Sequence, residues 1–461
     1  MRPGLLKGVA SRLLAAALGV AALVAVEAVV REGGWAVAPA PAAPEAYDPD
    51  FRALPSTGLT SYLEPAPPGP DGRARVQTNR EAARVGILLD LSFDAEPAPG
   101  VLRIFAFGGS ATMGVPYERT PEVSFPSRLQ HNLSAGGLDV EVINLGGASL
   151  GSRQVLEAAA EAVDYHPAAL VVYSGNNEFF QYHLRLTQAN PGLTLARGEL
   201  ERLHTYRLLR RALGKGDAAP AGRPDLEALK DRQDALVAEA LRRALAAAPE
   251  GERPAEVGGR LTRRDRIYTE VVGGFEANLR ALAGIKGDAS LFIAAMPANL
   301  AVPPTVSLED PGLGEVAHLR LLAAMDEGRA AFKEKDWAQA EAAFTQAIAL
   351  DGTFAEAHYG LGRARLAQGD EAAALLDLED ALELDFDPGR PVRAIRLAPR
   401  ALEAEGLAVA VDGLRALTPP RTFSEGPSPF VDRCHLSVAA DDALAWAFAE
   451  AMLGHWAAHP P

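Results

Sequence analysis

Three side chains in this sequence could assemble a hydrolytic centre, although one of them lies about 320 residues from the other two. Ser110 sits in Arg103-Ile-Phe-Ala-Phe-Gly-Gly-Ser-Ala-Thr-Met-Gly114. The apolar run reads as a buried strand, the two glycines as a sharp turn, and the serine as the opening of a helix. A serine so placed has its hydroxyl at the carboxyl end of a strand and its own N–H at the positive end of a helix. Open parallel sheets keep their chemistry at that edge. A serine hydroxyl is a poor nucleophile until a base takes its proton as it attacks. Neutral imidazole does this near neutral pH, and a carboxylate can hold its tautomer and stabilise the imidazolium. Asp432 and His435 are three residues apart, so one turn can present both on one face.

Two further blocks bear on the same edge. Asn144-Leu-Gly-Gly-Ala-Ser149 and Gly175-Asn-Asn-Glu178 each follow a short apolar run. Taken singly, every block has a plainer use. Ser110 and Asn177 could cap helices, and Asp432 with His435 could be an exposed turn pair. The turn from Gly109 to Gly114 lacks the Lys-Ser/Thr that a phosphate-cradling loop needs. Together, each at the end of an element and in this order, they argue for one site.

The elements that must position them follow an alternating pattern. Val101–Phe107, Val140–Asn144, Ala169–Tyr173, Leu291–Ala295 and Leu407–Val411 read as five buried parallel strands. Helical segments such as Ser152–Tyr165 and Ile267–Ala283 separate them. This predicts an α/β protein: a doubly wound, three-layer α/β/α unit around a parallel five-stranded sheet. Right-handed crossovers bring the chemistry-bearing strand ends to one edge.

On this alternation the four blocks resemble the SGNH hydrolases, also called the GDSL esterase/lipase family. The resemblance covers residues 101–180, 267–300 and 405–455. It implies Ser110 as nucleophile, His435 as general base and Asp432 as the carboxylate that orients it. It implies an oxyanion hole made by the Ser110 N–H, the Asn177 side-chain amide and a backbone N–H of the second block. Gly146, Gly147 and Ser149 compete for that last role, and Gly147 is chosen. The family's usual Gly-Asp-Ser reads Gly-Gly-Ser here, and its Gly-x-Asn-Asp ends in Glu178. No cofactor or metal is called for. Pro297-Ala-Asn299 also resembles the family and would shape the same edge. Cys434, inside the base loop, reads as a small space-filling side chain, with a rival nucleophile as the alternative. Tyr182 and His183 read as surface residues at the start of an insertion, with pocket lining as the alternative.

Two insertions interrupt the alternation. Residues 184–266 are rich in alanine and arginine and helical in pattern, at the edge where a lid would sit. In the second, Gly328, Asp336, Ala340, Ala347, Leu350 and Asp351 recur 34 residues later as Gly362, Asp370, Ala374, Ala381, Leu384 and Asp385. That period, with small residues where helices cross, resembles tetratricopeptide-repeat proteins over residues 320–387. Two repeats fall short of a free-standing solenoid, so the unit must pack on the sheet domain or on a protein partner.

Residues 1–31 place Arg2, Lys7 and Arg12 before an apolar run from Leu13 to Val30. This reads as an uncleaved transmembrane anchor with the bulk of the chain exported, a cleaved signal peptide being the alternative. Residues 32–72, with prolines at 65, 67, 68 and 70, read as a stiff tether. The sheet domain is expected over 73–319 and 388–461, with the repeats between. A net charge of −15 sets nucleic acid aside as a partner. The single cysteine excludes an intrachain disulfide and cysteine-rich zinc sites.

The expected function is that of an exported, membrane-tethered serine esterase acting on an O-acyl group, with a short acyl on a glycan or envelope polymer as its substrate class. Acyl transfer by the same residues is the near alternative. The distant alternative is an inert hydrolase-like scaffold that recruits partners through its repeats.

Overall fold

The computed structural model describes residues 59, 61–117, 120–182, 256–257, 260–261, 266–310, 313–417 and 428–461. The predicted anchor, most of the tether, His183 and nearly all of the 184–266 insertion lie outside them. Among the described residues no helix is long and apolar enough to cross a membrane.

The first element corrects a boundary. Strand β1 (Leu63–Ala66) pairs antiparallel with β2 (Arg75–Thr78), which leads through the short helix α1 (Arg80–Arg84) to β3 (Ser92–Asp94), β2's other neighbour. Residues 61–72, expected to be the end of the tether over 32–72, therefore belong to the fold. Tyr62 and Leu63 are buried. Glu161 accepts hydrogen bonds from both of their N–H groups, at 2.9 Å each. Proline content hides this strand from the sequence. Pro65 is tolerated because β1 is an edge strand, where a missing N–H costs no ladder bond.

The central sheet begins with β4 (Leu102–Gly108), followed by α2 (Ser110–Met113), α3 (Phe125–Ala135), β5 (Val140–Asn144), α4 (Ser152–Ala162) and β6 (Ala169–Tyr173). A two-residue hairpin pair, β7 (Glu256–Val257) and β8 (Arg260–Leu261), precedes α5 (Arg266–Ile285) and β9 (Ser290–Ala294). Four helices then interrupt the sheet: α6 (Glu315–Glu334), α7 (Trp337–Leu350), α8 (Ala355–Ala367) and α9 (Glu371–Leu384). Helix α10 (Arg393–Ala404), β10 (Val409–Val411), α11 (Gly413–Leu417) and α12 (Val438–Ala458) complete the chain. The last strand is shorter than predicted. Gly406 takes φ +71°, and the Leu407 N–H turns back to the Leu402 carbonyl as a helix end, not into the sheet.

The five strands are parallel in the order β10-β9-β6-β4-β5. The chain steps outward from β4 to β5, then crosses back to β6 on the other side. The crevice between the carboxyl ends of β4 and β6 is thus the topological switch point, where open sheets bind ligands.

Alternate residues of β4 serve opposite layers. Phe105 and Phe107 join a core with Val155 of α4, Phe275 and Leu279 of α5, and Ile395 and Leu402 of α10. Ile104 and Ala106 join a core with Phe125 and Leu129 of α3 and with Leu444, Phe448 and Met452 of α12. The buried residues of α12 recur every three or four positions, as one face of a helix on a sheet requires. At the amino edge, fully buried Arg103 donates to the Ala95, Tyr165 and Asp94 carbonyls and to Glu141, and stacks over Phe93. It fastens the antiparallel sheet to the end of β4 that lies away from Ser110.

Helices α6 to α9 form two helical hairpins that repeat the sequence period. Asp336 and Asp370 cap α7 and α9, accepting from Gln339 and Ala373 N–H at 3.1 Å. A Cβ added at Gly328 or Gly360 would lie 2.7 or 2.6 Å from the Phe344 ring. One added at Gly362 would lie 2.8 Å from Leu378, the equivalent residue of the second repeat. Small residues at these crossings let the helix pairs close.

Candidate active site

Ser110 is the first residue of α2, directly after the turn that ends β4. The turn must be glycine. A Cβ at Gly108 would stand 2.1 Å from the Tyr173 carbonyl and from Thr112 Oγ1. Thr112 itself donates to the Tyr173 carbonyl at 3.0 Å, which ties α2 to the end of β6. Asn144, at the end of β5, donates to the Thr112 carbonyl at 2.9 Å. The serine is therefore held by contacts from three adjacent strand ends.

The loop before α12 brings His435 and Asp432 to that serine. His435 Nε2 lies 2.7 Å from Ser110 Oγ, and Nδ1 lies 2.6 Å from Asp432 Oδ2. With Nδ1–H donating to the carboxylate, Nε2 is left to accept the serine proton. The other carboxylate oxygen accepts the backbone N–H groups of Cys434 and His435 at 2.9 and 2.8 Å. Burial would raise the Asp432 carboxyl, but the His435 ring and these two N–H groups overcome it and hold it down at about 2. Asp432 is thus ionised across the working range of any neutral-pH chemistry. Leu436 is buried behind the pair, and Ser437 caps α12 by accepting the Ala440 N–H.

Asn177 follows β6 on the same edge. Its amide donates to the Leu150 carbonyl at 2.9 Å with one of its two N–H bonds. A Cβ on Gly109 would stand 2.6 Å from this Nδ2, so the amide lies against the Ser110 turn. The Ser110 N–H, at the start of a helix, has no acceptor within that helix.

The second-block donor expected at Gly147 is a correction. The Gly147 N–H donates to the Gly108 carbonyl at 3.1 Å, and the Gly146 N–H to Asn144 Oδ1 at 2.9 Å. Both are used in building the turn. Of the three candidates Ser149 remains: exposed, with φ +59°, and with no acceptor for its N–H among the described residues. A non-glycine residue in that region is uncommon and is held only where its surroundings enforce it. Gln181 does so by donating to the Ser149 carbonyl at 2.6 Å. Serine three residues after Gly146 was the available signal; its left-handed backbone was not legible.

Several roles emerge only from the tertiary structure. Glu178, where an aspartate was expected, is buried and accepts the Ser152 N–H and Oγ–H at 2.8 Å each, holding the start of α4. Tyr182 donates to Glu270 of α5 at 2.6 Å. Asn299 donates to the Asp432 carbonyl at 2.7 Å. Cys434 is half-buried, while His435 Nε2 is directed to Ser110.

Asp432, Cys434 and His435 are the only grouping of three potential metal ligands among the described residues, with ligand atoms within 4.8 Å of one another. Two of them already share the carboxylate–imidazole bond, which a metal would have to displace. His455 and His459 at the end of α12 have His-x-x-x-His spacing, their rings stacked 4.8 Å apart, and no third ligand joins them among the described residues. In the first turn of α12, burial pushes Asp441 up to about 7, against the lowering effect of the Phe125 N–H and Arg128. One of its oxygens has no hydrogen-bond partner. Burial, with Asp441 and Cys434 nearby, also pushes the Tyr173 hydroxyl up.

No curated protein matches the chain. Residues 325–391, spanning helices α7 to α9 and part of α6, match the tetratricopeptide repeat family.

Proposed function

We propose that this chain is a serine esterase of the SGNH type, cleaving O-acyl esters by way of an acyl-enzyme on Ser110. The observation that supports the reading is the continuous hydrogen-bonded line from Ser110 Oγ through both His435 nitrogens to Asp432, with bonds of 2.7 and 2.6 Å. In the acylation step Ser110 Oγ attacks the ester carbonyl carbon while His435 Nε2 takes its proton. The carbonyl oxygen becomes an oxyanion, received by the N–H groups of Ser110 and Ser149 and by the Asn177 amide. Collapse of that intermediate expels the alcohol, which leaves with the proton from His435. Water then repeats the sequence and releases the acid. Asp432 stays ionised throughout and stabilises the imidazolium.

Ser110 and Asn177 follow β4 and β6, the strands that flank the switch point, which supports the reading. The apolar N-terminal run argues for an exported, membrane-tethered enzyme, and that location argues for a short acyl group on a glycan or envelope polymer. A sugar hydroxyl replacing water in the second step would make the same residues an acyltransferase.

The second reading, a binding protein, draws on the tetratricopeptide match, because such repeats commonly dock proteins. Labelling with a fluorophosphonate separates the two. The esterase reading expects covalent capture at Ser110 and p-nitrophenyl acetate turnover that the Ser110→Ala variant loses. A folded chain that neither labels nor turns over the ester leaves the binding reading.

A further inference from the structure

The segment that leaves β9, residues 296–310, runs across the repeat unit and is held there at successive points. Leu300 packs with Leu378 and Leu382, and the Ala301 carbonyl accepts the Tyr359 hydroxyl at 2.6 Å. Asp385, fully buried, accepts the Thr305 and Val306 N–H groups at 2.8 and 3.0 Å. Asp351, its equivalent one repeat earlier, accepts the Asp310 N–H at 2.8 Å. The two repeat-end aspartates therefore catch the backbone of one segment of their own chain. Arg390, also buried, completes the grip: it donates to the Asn299 and Val302 carbonyls at 2.7 Å each and faces Asp385 at 3.3 Å.

The beginning of this segment meets the base loop. Asn299 Nδ2 donates to the Asp432 carbonyl at 2.7 Å, while its Oδ1 accepts the Ala301 N–H at 3.1 Å. Arg433 reaches Thr305 Oγ1 and the Pro388 carbonyl. The base loop thus leans on the 296–310 segment and on the 385–390 turn that ends the repeats. We infer that the repeat unit acts on its own chain as a clamp on residues 296–310, and that Arg390 in the clamp and Asn299 in the segment it holds are positioning residues for the Asp432–His435 pair. This deepens the esterase reading and rests on it for its catalytic meaning.

The test uses the full-length protein and the variants Asn299→Asp and Arg390→Lys. Asn299→Asp keeps the acceptor for Ala301 and removes the donor to Asp432. Fluorophosphonate labelling of Ser110 is expected to slow by roughly 10- to 100-fold, with kcat for p-nitrophenyl acetate falling and KM unchanged, because a small misplacement of a catalytic group is enough for such a loss. Proton NMR supplies a readout independent of turnover. The low-field Nδ1–H resonance that vanishes in His435→Ala should broaden or disappear in both variants. Phe344→Leu, in the repeat core, should lower the melting temperature without altering either signal. Folded variants that label at the wild-type rate and keep the low-field resonance overturn the clamp. If one variant does not fold, the other decides. If the wild type itself does not label, the esterase reading fails, and the NMR comparison still decides whether the repeats hold the pair.

Discussion

The two halves of the candidate site are built in contrasting ways. The nucleophile half is carried by strand ends: Ser110 after β4, the second block after β5 and Asn177 after β6, cross-linked by Thr112 and Asn144. The base half is a loop, residues 428–437, that returns from the opposite end of the sequence and rests on other loops. A sheet edge fixes geometry through many backbone bonds that no single side chain supplies. A loop depends on a few side chains, each of which can be removed. The first half should therefore tolerate little change at its turn, and the second should respond in graded fashion to changes in its supports.

The largest effects break the line that joins the halves. Ser110→Ala and His435→Ala should each lower kcat by about 10⁴-fold or more, read by p-nitrophenyl acetate turnover on protein with unchanged circular dichroism. Asp432→Asn should cost about 10⁴-fold by the same assay, because the ring loses its tautomer. Wild-type turnover in any of the three would separate the two halves functionally. Next comes the nucleophile half alone. Asn177→Ala should lower kcat by about 10²–10³ with little change in KM, and Gly109→Ala, whose Cβ meets the same amide at 2.6 Å, should fall in the same direction. If Asn177→Ala changed only KM, the amide would serve ground-state binding and not the developing oxyanion.

Phe344→Ala tests whether the repeats are a separable layer. Losing a buried ring that fills the Gly328 and Gly360 crossings should cost about 3–5 kcal/mol, seen as a lower denaturant midpoint. An unchanged midpoint would mean that the repeat core does not limit stability.

The smallest effect concerns Asp441, on the helix that follows the base loop. Its folded-state pKa is raised, to about 7. The stability it contributes is thus fully present below the unfolded value near 4 and is lost as pH rises toward 7. Asp441→Asn should flatten the fall in melting temperature over that window, by roughly 5 °C at neutral pH. A variant that keeps the wild-type pH dependence would move the titration to another group.

Much of this architecture is legible in the linear chain because it rests on local patterns. The run Ala169–Tyr173 coincides with β6, since a strand buried on both faces must be continuously apolar, and Val140–Asn144 coincides with the edge strand β5, where Glu141 is tolerated at a half-buried position. The 34-residue period coincides with two helical hairpins, and its repeated glycines Gly328 and Gly362 sit where the Phe344 ring and Leu378 cross. Strand β1 stays hidden because its prolines match those of a tether. The choice among Gly146, Gly147 and Ser149 stays hidden because backbone N–H groups are identical in sequence and are told apart only by which carbonyl each one reaches.

The sequence by itself determined the residue types, the alternation of helices with the five parallel strands, and the spacing that lets Asp432 and His435 share one turn. Side-chain chemistry and period are written locally, so they survive without coordinates. Only the tertiary structure decided that Ser110 and His435 meet at 2.7 Å, that Asn299 supports Asp432, and that the repeats grip residues 296–310. Those contacts join segments far apart along the chain, and their partners are selected by how the layers pack, which no local pattern records.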